Sequence, residues 1–117
     1  MLWRNLGARL FLPALMLATP AHADILLIGN KGEDSLSLVD TDRGQLCHRL
    51  PTDKAPHEVA VSPDGRRAAV VGYGAASVEI FDIRNARSIR RIDLSDHAGP
   101  HGLLWLRKNQ ILTVADR

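Results

Sequence analysis

Leu26-Leu27-Ile28-Gly29-Asn30, Ala69-Val70-Val71-Gly72-Tyr73 and Leu112-Thr113-Val114-Ala115-Asp116 follow one another at a spacing of 43 residues. Working outward from these segments, more of the chain recurs. Ser35-Leu36-Ser37-Leu38-Val39-Asp40 matches Ser77-Val78-Glu79-Ile80-Phe81-Asp82, and Ala55-Pro56-His57-Glu58-Val59-Ala60-Val61 matches Gly99-Pro100-His101-Gly102-Leu103-Leu104-Trp105. A period of about 40–45 residues with several short strands per unit is the mark of a propeller blade. The expected fold is therefore all-β, with blades of four antiparallel strands. A blade buries its faces only against neighbours, and this chain holds little more than two, so the expected ring is incomplete.

Alternating apolar residues and turn residues divide each unit. Strands are expected at Ile25–Asn30, Ser35–Thr41, Gln45–Leu50, His57–Ser62, Arg66–Tyr73, Ser77–Ile83, Ser88–Leu94, His101–Leu106 and Gln110–Asp116. Pro63-Asp64-Gly65 is a hairpin turn in which proline fixes φ and glycine accepts φ > 0. Lys108-Asn109 takes its place in the next unit, with asparagine as the residue tolerant of left-handed backbone. The longer connections before His57 and His101 suit a crossing from the outer edge of one blade to the centre of the next. With strands lettered A to D from channel to rim, residues 24–117 form a partial propeller. It has strands B–D of one blade, one whole blade, and strands A–B of a third.

The first 23 residues stand apart. Arg4 and Arg9 precede an apolar run, Leu10 to Ala18, and Ala21-His22-Ala23 is an A-x-A cleavage site. This is the three-part pattern of a secretory signal peptide, and the run is too short to span a bilayer. An uncleaved anchor or a core helix is the plainer alternative. Cleavage before Asp24 would leave a periplasmic or secreted chain without a membrane span. It would also remove two of the 15 Lys+Arg against 13 Asp+Glu, leaving thirteen of each. The basic balance therefore gives no ground for a nucleic-acid or anionic-membrane partner. Cys47 is the one cysteine and has no internal partner. It aligns with Ile89, and a small buried hydrophobe is expected there.

The blade text resembles the YVTN-type repeat of YncE-like β-propellers. Leu27-Ile28-Gly29-Asn30 matches its opening strand loosely, and Leu36-Ser37-Leu38-Val39-Asp40 matches the second strand well. Val59-Ala60-Val61-Ser62-Pro63-Asp64-Gly65 matches the end of the repeat closely. The resemblance covers residues 25–116 and implies a propeller. Its motif residues are structural, and related propellers include binding modules, sugar lactonases, quinoprotein amine dehydrogenases and haem d1 enzymes. Fold does not choose among these.

The chemistry-bearing candidates are few. Pro56-His57 and Pro100-His101 recur at the entry to strand A, which would put two imidazoles near the channel mouth as ligand-binding residues. The bland alternative is that each histidine pins its loop. Asp96, His97 and His101 are weak candidates for a metal site, since their loop fixes no geometry. Asp40, Asp82 and Asp64 are expected to cap turns. Glu58 and Glu79 have no paired acid at a defined spacing, and there is no phosphate loop, CxxC or Gly-x-Ser-x-Gly. No catalytic residue and no cofactor are assigned. The expected function is an exported binding or interaction scaffold, a piece of a larger propeller able to self-associate through open blade edges. Its ligand, protein or small molecule, is open. The alternative is the remnant of a propeller enzyme, lactonase-like or of the quinoprotein or haem d1 type, using the channel histidines.

Overall fold

The computed structural model describes residues 24–115. The signal-peptide reading of residues 1–23 and the last expected strand residue, Asp116, lie outside them. Nine strands form: β1 (Ile25–Asn30), β2 (Ser35–Asp40), β3 (Gln45–Pro51), β4 (Pro56–Val61), β5 (Arg67–Gly72), β6 (Ser77–Asp82), β7 (Arg87–Asp93), β8 (Pro100–Trp105) and β9 (Ile111–Ala115). Each falls within one residue of its expected ends. They make three open antiparallel sheets, β1-β2-β3, β4-β5-β6-β7 and β8-β9. The helical content among the described residues is two one-turn 3₁₀ segments, Tyr73–Ala75 and Arg107–Asn109.

The register corrects the 43-residue spacing of the first two units. Ile25 pairs with Asp40 and Arg67 with Asp82, so both members of the pair advance by 42. A one-residue slip exchanges the two faces of a strand. Leu27, not Leu26, therefore turns toward the second sheet, and Leu26 and Ile28 stay 50% and 40% exposed on the opposite face.

Two apolar layers hold the sheets together. In the first, Leu36 and Leu38 of β2 meet Ala68 and Val70 of β5 and Phe81 of β6, with Leu27, Leu50, Val59 and Ile83 packed around them. In the second, Ala69, Val71, Val78 and Ile80 meet Trp105 of β8, with Leu103 and Ile111 beside it. β5 is thus buried on both faces, which explains why Arg67-Ala68-Ala69-Val70-Val71-Gly72 reads as a nearly continuous apolar run. Its last residue leaves no room for a side chain. A Cβ on Gly72 would meet Ser77 Oγ at 2.8 Å and Asp53 Cβ at 3.0 Å.

The turns behave as their residue types require. Asp40 Oδ1 accepts the Arg43 amide and Asp82 Oδ1 the Asn85 amide, each at 3.0 Å. Asp64 Oδ1 accepts Ser62 Oγ–H at 2.6 Å and the Arg66 amide at 3.1 Å. Lys108 and Asn109 both have positive φ, 59° and 61°.

Cys47 departs from expectation. It aligns with Ile89, but the thiol is exposed and Ile89 is 45% exposed. Both residues sit where the outer strand skips a pairing, between Leu46 and His48 in β3 and between Ser88 and Arg90 in β7. The bulge pushes the extra residue out of the ladder, on the rim of the sheet.

Candidate functional site

The connections β3–β4 and β7–β8 emerge at the same end of the sheets as the β1–β2 and β5–β6 turns, because alternate strands run in opposite directions. That end carries both sequence-selected histidines. Each follows a buried proline at the start of a strand, β4 or β8. Each also falls where the pairing register shifts, between Pro56 and Val59 and between Pro100 and Gly102. Such a shift re-aims the side chain away from the regular ladder. His57 is exposed and His101 is half-buried.

The two imidazoles come together, with ring centroids 6.2 Å apart and planes at 66°. Tyr73, at the start of the β5–β6 turn, lies 5.7 Å from the His57 ring. Lys31, in the β1–β2 turn, places Nζ 5.3 Å from the Tyr73 ring centroid, within cation–π range. A row of side chains thus runs from Lys31 through Tyr73 and His57 to His101, across all three sheets. Sequence reading selected the histidines and missed Lys31 and Tyr73. The available signal was position: Lys31 follows β1 and Tyr73 follows β5, at the same end as the Pro-His pairs.

Asp96 and His97 lie exposed in the β7–β8 connection. Among the described residues no three His, Cys, Asp or Glu side chains gather as a metal site, so Asp96, His97 and His101 do not form one. Glu58 is engaged otherwise: its Oε2 accepts the Leu103 amide at 3.1 Å and ties β4 to β8.

A polar network below this row was not visible in the sequence. Asp53, in the β3–β4 connection, accepts Ser77 Oγ–H at 2.5 Å and Arg91 Nε–H at 2.6 Å through Oδ2. Its amide donates to Glu79 Oε2 at 3.1 Å, while Glu79 Oε1 accepts Ser88 Oγ–H at 2.6 Å. The same connection is held by the Tyr73 amide on Ala55 O and the Ala55 amide on Asp34 Oδ1. These bonds seat the loop that presents His57.

At the opposite side of the second sheet a cavity of about 250 Å³ opens between the β6–β7 hairpin and β9. Ile80, Ile89, Ile92, Trp105 and Ile111 line it, with Arg67, Arg90 and Asn109. The Trp105 indole is 8% exposed, and its Nε1–H has no hydrogen-bond partner. The Arg67 guanidinium stacks 5.2 Å from its centroid and donates to Asn109 Oδ1.

No family model and no curated protein matches the chain. Solved structures do. Hydrazine synthase from Kuenenia stuttgartiensis superposes with a TM-score of 0.69 at 21% identity, over 79% of this chain and 29% of that one. Dihydro-heme d1 dehydrogenase NirN in complex with DHE superposes with a TM-score of 0.70 at 20% identity, over 80% of this chain and 21% of that one. Both are β-propeller proteins. Likeness at this identity shows the fold: the described residues are part of a β-propeller. The chain spans less than a third of the length of either neighbour. Among the described residues no helix is long and apolar enough to cross a membrane.

Proposed function

We propose that this chain is an exported, noncatalytic segment of a YncE-like propeller of the YVTN-repeat type, serving as a binding scaffold within a larger ring. Signal-peptide cleavage before Asp24 would place it in the periplasm or outside the cell. The observation that carries the scaffold reading is the face of β8-β9 turned away from the second sheet. Leu104, Leu112 and Val114 there are 54%, 54% and 51% exposed, in a stretch of sheet whose counterpart, Ala60, Ala69 and Val71, is packed. The cavity beside Trp105 supports it further. At the first interface Phe81, 1% exposed, fills the corresponding space together with Ile83 and Ala86. A third strand of the same repeat beside β9 would fill the cavity as β6 does at the first interface, and a further blade would cover the apolar face.

The test is association. The full chain should self-associate with rising concentration in sedimentation velocity, through these apolar faces. The Leu104→Asp, Leu112→Asp double variant should shift the distribution toward the monomer. A wild-type monomer at all concentrations, unfolding cooperatively, would contradict the reading. Protein recovered from the periplasm should begin at Asp24.

A second reading is the remnant of a propeller enzyme that uses the channel histidines. The NirN likeness and the meeting of His57 with His101 favour it. It requires turnover that the double histidine variant loses while keeping its fold.

A further inference from the structure

From the pairing of His57 with His101 we infer a two-imidazole site for a borderline divalent cation such as Cu²⁺ or Zn²⁺. This deepens the scaffold reading by giving the channel mouth a ligand class, and it rests on that mouth being a ligand site. A metal–nitrogen bond of about 2.0–2.1 Å places the metal about 3.2 Å from an imidazole centroid. Two rings sharing one ion then have centroids about 5.2 Å apart at a tetrahedral angle and about 6.4 Å apart when opposed. The observed 6.2 Å lies inside that interval, toward the open end.

The backbone supports the same conclusion. Both rings follow a buried proline, on β4 and β8, and both occupy a register shift. The pair is therefore set by equivalent positions of two packed sheets rather than by a mobile loop. Imidazole suits copper and zinc better than magnesium or calcium, which take oxygen donors. His57 is exposed and His101 half-buried. Water can reach the ion and complete its coordination, since no third His, Cys, Asp or Glu joins the pair among the described residues. The site would be open, able to take a further donor from a bound molecule. Lys31 and Tyr73, next along the row, would flank such a molecule beside His57.

The experiment is titration of the full chain with CuCl₂ and with ZnCl₂ by calorimetry, with Cu²⁺ electron paramagnetic resonance to count nitrogen ligands. His22, His48 and His97 stay in place in the His57 and His101 variants. Wild type should bind one equivalent and show two coordinated nitrogens. His57→Ala and His101→Ala should each lower affinity beyond the roughly 10–100-fold that loss of an outer-shell partner costs, and each should leave one nitrogen. Far-UV circular dichroism and the self-association profile should match wild type in both, since neither ring is a core residue. Equal affinity in wild type and the double variant would overturn the inference, as would a signal that disappears with His48→Ala or His97→Ala instead. Loss of metal binding while the Leu104, Leu112 face still drives association separates this inference from the scaffold reading. Metal binding without association refutes the scaffold alone.

Discussion

Replacing Asp53 with alanine tests what seats the channel-mouth loop. The carboxylate takes two donors through one oxygen, Ser77 Oγ–H at 2.5 Å and Arg91 Nε–H at 2.6 Å. The two losses differ in size. The Arg91 side chain is 46% exposed and that of Asp53 28%, so this ion pair is worth about 0–1 kcal/mol. Ser77 is fully buried, and stripping its hydroxyl of a partner costs about 1–3 kcal/mol. Asp53→Ala should therefore destabilise the chain by about 2 kcal/mol. Asp53→Asn keeps an acceptor for Ser77 and should cost about 1 kcal/mol or less. Ser77→Ala removes the donor instead. The double variant should then fall short of the sum of the singles, with a coupling of about 1 kcal/mol. Urea unfolding at a protein concentration low enough to suppress association reads these as shifts in midpoint at constant slope. If Asp53→Ala and Asp53→Asn proved equal within about 0.5 kcal/mol, or the cycle closed without coupling, the buried hydroxyl would not be the contact that matters most.

Gly72→Ala drives a Cβ against Ser77 Oγ and Asp53 Cβ; it should lower stability by about 1–3 kcal/mol and be seen as a reduced melting temperature, whereas Gly32→Ala, with open space around it, should leave the melt close to wild type. The Asp64 carboxyl is held below its ordinary value of 3.8, first by the Ser62 hydroxyl and then by the Arg66 amide, and Asp82 likewise by the Asn85 side chain and amide. Because the folded values are depressed, each turn's contribution is complete above pH 3.8 and is lost as pH falls through the lower folded value. Carboxyl carbon chemical shifts followed by NMR should titrate below 3.8 at both positions, and midpoints at or above it would remove the stated cause.

Much of the strand layout was legible because strand signals are local. Alternation, Pro-Asp-Gly and the closing aspartates all act within a few residues. Register was not local. The 43-residue match aligned Gly29 with Gly72, but the ladder aligns Gly29 with Val71 and Asn30 with Gly72. The match of letters favoured the glycines, while burial of the Leu36 and Leu38 face fixed the pairing. Left-handed backbone at Ala55, Ala76 and Ala86 was equally hidden, since alanine carries no signal for it. Cys47 misled because its neighbours suggest a packed strand, whereas a bulge on the rim turns it outward. At the candidate site the repeated Pro-His was readable and its meeting across blades was not. Asp53 was invisible for the same reason: its partners Ser77 and Arg91 lie 24 and 38 residues along the chain.

The two interfaces between sheets are not equally fastened, although the repeat makes them look alike. Asp34 and Ala76 occupy equivalent positions, with φ of 50° and 47°, and each carbonyl accepts the amide of the residue just after the outgoing strand, Thr52 or Leu94. Only Asp34 adds a carboxylate, which clasps the Ala55 amide at 2.7 Å. The first interface also holds the Asp53 network, while the second relies on Glu58 against the Leu103 amide and Arg67 against Asn109. In a stack where each unit leans on its neighbours alone, local fastening sets the order of events. Loss of structure should therefore be directional. The second interface is the one that opens first, exposing the second apolar layer while β1 to β7 stay joined. The two interfaces would act as a latch and a hinge of unequal grip, the partly opened form offering the surface of Val71, Val78 and Ile80 to whatever approaches from the β8 side.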